Sequence, residues 1–190
     1  MGITAVGIDI SLTRTGIAIV RDNRYSVAQV ASKLKDFEAP EERIKYIAGA
    51  IVKNVKKMAI AFNVELTDLY WGLEDYALNS RSGKIFERVE LAGLVKQLLW
   101  SKTGRLPFKV PPQTLKKFIT GKGKGVEKNV MLLSVYTKYD IQFENDDVAD
   151  AFSVAKVVDA CFSDPSKLYK YEQEVVKVVK ERSGYTTKRL

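Results

Sequence analysis

Asp9 closes the apolar run Ile3-Thr4-Ala5-Val6-Gly7-Ile8 and is followed by Ile10 and the polar turn Ser11-Leu12-Thr13-Arg14-Thr15-Gly16. β-Branched and small residues fill the run, which reads as a buried strand. A carboxylate at its end is costly to bury unless it is paired or binds a cation. Other acids have the same setting. Glu74-Asp75 lies in a second apolar run, and Asp146, Asp147 and Asp150 open an otherwise apolar helix. Asp147 and Asp150 are spaced i,i+3, and Asp146 and Asp150 i,i+4, so either pair shares a helix face. Spacing alone does not choose between Asp146 and Asp147. Neighbours on a strand point to opposite faces, so only one of Glu74 and Asp75 can join Asp9. Acids are also favourable at a helix start, but capping accounts for one or two of the three there. Gathered together, these carboxylates make a cage of hard oxygen ligands, the chemistry of a Mg²⁺ site.

The elements that must position them follow from periodicity. Residues 3–10, 16–21 and 24–31 read as three strands, the last after the turn-like Asp22-Asn23. Ile44, Ile47, Ile51, Val55 and Met58 recur at helical spacing, and Pro40-Glu41-Glu42 is a good helix start. Leu69 to Tyr76 is a fourth strand. Ser82 caps a helix running from about Gly83 to Trp100. Phe108 to Val110 is a fifth strand, followed by a short helix and the loop Gly121-Lys122-Gly123-Lys124-Gly125. A helix from about Val126 to Lys138 precedes the acid-bearing helix, which ends near Cys161. Three consecutive strands, then alternating helices and strands, predict an α/β fold with a mixed five-stranded sheet and helices on both faces. Residues 1–164 are expected to form the catalytic domain, and 165–190 a charged, partly helical C-terminal extension.

Composition narrows the chemistry. Of 190 residues, 31 are Lys or Arg and 23 Asp or Glu, a net charge of +8. A basic surface around an acidic site suits a polyanionic substrate. The chain has no His, which excludes His triads, His-ligated zinc and His general bases. The single Cys161 fits a reducing cytosol. No apolar stretch reaches the ~20 residues of a membrane helix, and the first residues lack a signal-peptide pattern. A cytoplasmic protein without membrane contact is expected.

Four segments in order resemble RuvC-type Holliday junction resolvases of the ribonuclease H-like superfamily. Gly7-Ile8-Asp9-Ile10-Ser11-Leu12-Thr13-Arg14-Thr15-Gly16 resembles their opening strand and turn. Leu73-Glu74-Asp75-Tyr76 falls at their strand glutamate. Gly121 to Lys128 resembles their Gly- and Lys-rich segment. Asn145 to Ala155 resembles their closing helix. The resemblance spans roughly residues 3 to 160. Ala77 stands where bacterial members carry an aromatic, with Tyr76 beside it, so the chain is closer to divergent, phage-type members with looser substrate choice. For a phage-encoded chain the compartment is the bacterial host's cytoplasm.

The resemblance implies a ribonuclease H-like fold and an endonuclease that cleaves four-way and other branched DNA. It selects Glu74 over Asp75 and Asp147 over Asp146. Asp9, Glu74, Asp147 and Asp150 are then the ligands of two Mg²⁺ ions, which Mn²⁺ can replace, and Asp9 bridges both. Two ions ~3.5–4 Å apart can clamp an in-line phosphodiester displacement. Lys122, Lys124 and Lys128 are expected to hold phosphates, with Lys128 nearer the scissile one and counted as catalytic. Arg81, Lys84 and Arg88 would flank a DNA strand, and Tyr76 would stack on an unpaired base. Ile85, Val89, Ala92, Leu94, Val95, Leu98 and Leu99 make the 83–100 helix apolar on more than one side. The resemblance places that helix at a two-fold homodimer interface, with Leu94 a trial contact. Alternatives are a flap or fork nuclease on the same fold and a non-catalytic junction binder. An actin-like phosphotransferase needs a second domain for which 190 residues leave no room.

Overall fold

The structure, a computed structural model, describes residues 2–75 and 85–185. Within them the chain runs β1 (Thr4–Asp9), β2 (Arg14–Arg21), β3 (Arg24–Ala31), α1 (Pro40–Ala61), β4 (Leu69–Glu74), α2 (Ile85–Thr103), β5 (Phe108–Val110), α3 (Pro112–Thr120), α4 (Lys128–Tyr139), α5 (Asp146–Ala160) and α6 (Lys170–Ser183). The strands form one sheet in the order β3-β2-β1-β4-β5. The pairs β3–β2 and β2–β1 are antiparallel, whereas β1–β4 and β4–β5 are parallel. This is the expected mixed five-stranded α/β sheet. The termini of the elements shift from expectation by a few residues. Gly125 takes a left-handed φ of 68° and Glu127 stays extended, so α4 starts at Lys128 rather than Val126.

Strand alternation sends side chains to two cores. Val6, Ile8, Ile17, Ile19, Trp71 and Leu73 face α1 and α2, where Ile47, Ile51, Leu91 and Val95 meet them. Ala5, Ala18 and Val20 face the other way, toward Ala151, Phe152 and Ala155 of α5 and the inner sides of α3, α4 and α6. The second face carries small residues where α5 crosses it. A Cβ on Gly7 would lie 2.0 Å from the Ala151 carbonyl oxygen, and one on Gly16 would lie 1.9 Å from that of Asp147. The helix therefore rests directly on the backbone of β1 and β2. Its position relative to Asp9 is set by main-chain contact, which is stiffer than side-chain packing.

The double apolarity of α2 resolves into two surfaces. Leu91, Ala92, Val95 and Leu99 are buried, and Leu94 and Leu98 pack against the same core. Leu94 thus corrects to a core-facing position. Phe86 (77 % exposed), Val89 and Trp100 lie outward, and nothing stands within 4 Å of a Cβ on Gly93. Residues 86, 89, 93 and 100 follow helical spacing along one face.

The charged segment after 164 contributes α6, whose Val175 and Val179 enter the second core. Glu172, only 4 % exposed, accepts from the Tyr169 N–H at 2.8 Å and pairs with the Lys138 ammonium. Lys138 also donates to the Phe118 carbonyl at 2.8 Å and sits over the Phe118 ring. One buried polar group thus ties α3, α4 and α6, and its polar atoms are satisfied, as burial requires.

Candidate metal and nucleic-acid site

The parallel pairing of β1 with β4 places Ile8 opposite Leu73, so Asp9 and Glu74 follow at neighbouring strand ends. Alternation puts Asp9 on the face of Ala5 and Gly7, and Glu74 on the face of Tyr70 and Gly72, both toward α5. The two carboxyl groups share a hydrogen bond. Asp75 is engaged elsewhere: its N–H donates to the Val110 carbonyl at 2.8 Å and its carboxylate accepts from Arg182 at 3.2 Å. Alternation therefore brings Glu74, not Asp75, to Asp9.

The N-terminus of α5 supplies the remaining acids. Asn145 caps it, its side-chain oxygen accepting from the Val148 N–H at 3.2 Å. Asp146 and Asp150 line a cavity of about 100 Å³ with Glu74, Lys116, Met131 and Leu132. Asp147 stands at the sheet side of the turn. Its Oδ2 accepts from Gln29 Nε2 at 3.0 Å and pairs with Arg14 Nε at 3.2 Å. Thus Asp146 shares the cleft with Glu74 and Asp150, while Asp147 is nearer the β2–β3 side. Among the described residues no three acids stand close enough together to hold a metal ion as they are placed.

Electrostatics mark Asp9 and Glu74 as the strained pair. Burial pushes the Asp9 carboxyl up to about 6; the charges of Asp147 and Asp146 add to this, while its bond with Glu74 and the nearby Arg88 oppose it. Glu74 is also raised well above the usual carboxylate range, first by burial, then by the charges of Asp9 and Asp150 and the bond to Asp9. Like charges this close cannot both ionise cheaply without a cation. Arg88, which donates to the Ile10 carbonyl at 3.3 Å, lowers both.

No family model matches the chain, and no curated protein is significantly similar to it. Solved structures are. Thermus thermophilus RuvC aligns with a TM-score of 0.60 over 96 % of this chain and 97 % of its own, at 16 % identity. T. thermophilus RuvC in complex with Holliday junction substrate aligns with a TM-score of 0.63 over 96 % of each chain, at 17 % identity. The chain has the RuvC fold. Asp9 and Glu74 lie on its two central parallel strands, and α5 is the helix laid across them.

The basic residues divide around this RuvC-like core. Arg88 reaches the acids, as described. Lys122 and Lys124 are exposed on the loop between α3 and α4. Left-handed φ angles at Gly121 (76°) and Gly125 (68°) turn the loop, and Thr120 Oγ1 donates to the Lys122 carbonyl at 2.9 Å. Tyr76, Arg81 and Lys84 lie outside the described residues, as does the side chain of Lys128. Lys116 was not singled out from the sequence. It lines the cavity of Glu74, Asp146 and Asp150, and its ammonium donates to the Val126 carbonyl at 2.9 Å. Among the described residues no helix is long and apolar enough to cross a membrane.

Proposed function

We propose that this chain is a Mg²⁺-dependent endonuclease that cleaves four-way junctions and other branched DNA. The observation that carries the proposal is the meeting of Asp9 and Glu74 with the acidic first turns of α5, on a RuvC fold. The donors fit a hard divalent cation. They are all carboxylates, and burial and mutual repulsion leave Asp9 and Glu74 short of positive charge. Asp9, Glu74 and Asp150, with Asp147 or Asp146, would hold two Mg²⁺ ions, or Mn²⁺ in their place. When bound, the ions supply Lewis acidity and charge for phosphodiester hydrolysis.

The chain's own groups do the rest. Asp9, hydrogen-bonded to Glu74 and facing α5, joins the strand acids to those of the helix. Lys116 and Arg88 bring fixed positive charge to the cleft, where charge develops on a cleaved phosphate. Lys122 and Lys124 hold the backbone that flanks the cut, and Lys128 follows them at the start of α4. With no His in the chain, no His base takes part. Mapping of cuts on labelled four-way junctions, forks and linear duplexes tests the reading. Symmetrically paired, Mg²⁺-dependent cuts at the branch are expected; equal cutting of linear duplex would overturn junction selectivity.

Replacing Lys122 and Lys124 with Ala should weaken junction binding and flatten its salt dependence by a slope of about 2, since each lost phosphate contact removes roughly one released counterion. An unchanged slope of log affinity against log salt would show that the loop does not touch phosphate.

The outward stripe of α2 fits a second copy of this chain. A two-fold dimer presents one site to each of two strands of a junction. Phe86→Glu should convert a dimer into folded monomers that nick single strands without pairing the cuts. Sedimentation with circular dichroism separates dissociation from unfolding. A wild-type monomer at micromolar concentration that still makes paired cuts would sink this interface.

A further inference from the structure

Asp147 ties the start of α5 to the β2–β3 side of the sheet. Gly16 explains how. With no side chain there, the Asp147 backbone rests on β2, and the flanking side chains of Arg14 and Gln29 reach its carboxylate. Both use the same oxygen: Arg14 Nε at 3.2 Å and Gln29 Nε2 at 3.0 Å. Gln29 also reaches the capping oxygen of Asn145 at 3.4 Å. The ion pair is asymmetric in exposure: the Arg14 side chain is 57 % exposed and that of Asp147 only 15 %. The guanidinium therefore lies at the rim, where a polyanion arriving at the acids meets it first.

We propose that Arg14 is a positioning residue that holds Asp147 toward β2 until a DNA phosphate takes the guanidinium. The inference rests on the metal-dependent nuclease reading above. A phosphodiester offers Arg two oxygens in a planar fork, a good match for the guanidinium whose Nε meets Asp147 Oδ2 at 3.2 Å here. Once Arg14 turns to phosphate, Asp147 loses that ion pair and can turn toward the cation. Substrate and metal are then linked: each strengthens the binding of the other, by reciprocity. The device delays full assembly of the metal site until DNA is present.

The linkage is measurable without turnover. Mn²⁺ binding is titrated calorimetrically to the wild-type chain, Arg14→Ala, Arg14→Lys and Asp9→Asn, with and without a junction carrying a non-hydrolysable linkage at the cut site. In the absence of DNA, Arg14→Ala should bind Mn²⁺ about two- to fivefold more tightly than wild type, the size an exposed ion pair carries. DNA should tighten Mn²⁺ binding in wild type but much less in Arg14→Ala, and Arg14→Lys, which keeps the charge but lacks the fork, should fall between them. A merely structural Arg14 would not raise metal affinity when removed. Unchanged or weaker Mn²⁺ binding by Arg14→Ala, with Asp9→Asn binding abolished, overturns the clamp alone. Mn²⁺ binding that survives in Asp9→Asn overturns the metal reading, and the clamp with it.

Discussion

Asp9→Asn is expected to abolish cleavage, to spare junction binding, and to stabilise the metal-free protein. The first two effects follow from the proposed site. Removing the charge of the central ligand forfeits several kcal/mol of transition-state stabilisation, on the order of 10³-fold or more in rate. The basic residues that would bind phosphate are untouched. The third effect follows from the burial that raises the Asp9 pKa from 3.8 to about 6. A group raised in the folded state binds more protons there than when unfolded. Stability from this source is present below about pH 4 and is lost as pH rises through 6. At 1.36 kcal/mol for each pKa unit, the ionised Asp9 costs about 3 kcal/mol at neutral pH. Asn carries no such cost, so the variant should melt roughly 5–10 °C higher at pH 7.5, with no such gain at pH 4. Mg²⁺ should raise the melting point of wild type and not that of the variant. Mg²⁺-dependent cleavage retained by Asp9→Asn would remove it from the site, and equal melting points at pH 7.5 would show that its burial is not felt.

Gly16→Ala is expected to be the second most damaging change, although it alters no charge. Its methyl would stand 1.9 Å from the Asp147 carbonyl oxygen, a main-chain atom that cannot rotate away. Relief requires lifting the first turn of α5 from β2. Overpacking of this kind costs about 1–3 kcal/mol or more. It also displaces Asp146, Asp147 and Asp150 relative to Asp9, and a shift of about 1 Å near reacting groups can cost on the order of 10²-fold. Gly49→Ala is the control, since nothing lies within 4 Å of a Cβ there and the position is inside α1. That variant should gain about 0.5–1 kcal/mol. Denaturant melts and junction cleavage measured on both variants decide the matter. A Gly16→Ala protein with wild-type turnover would show that the acids do not depend on this contact.

The strands and most helices were legible because their periods are strong. The buried run before Asp9 and the recurrence of Ile44, Ile47, Ile51 and Val55 each admit one reading. The choice of Glu74 over Asp75 came from resemblance, and strand alternation supplies its physical reason. Lys116 was hidden because its place beside Glu74 and Asp150 depends on where α3 docks, which no local pattern encodes. The difference between Asp146 and Asp147 was hidden for a similar reason. Both lie about one helical turn from Asp150, and only the docking of α5 on Gly16 sends one toward the cleft and the other toward Arg14. The outward stripe of Phe86, Val89 and Trp100 was masked by inward Leu residues at overlapping spacing.

The order of strands also sets when the site comes into being. β1 pairs with β2 through a short turn, yet its other neighbour, β4, lies some sixty residues further along the chain. The acids of α5 come later still, beyond residue 145. A chain emerging from the ribosome can close its β1–β3 meander early, because those contacts are local. It cannot bring Asp9 to Glu74 until α1 has been made, nor either of them to α5 until most of the molecule exists. The mutually repelling carboxylates thus meet last, when both cores are available to hold them together. Until then the nascent chain has no assembled acidic site.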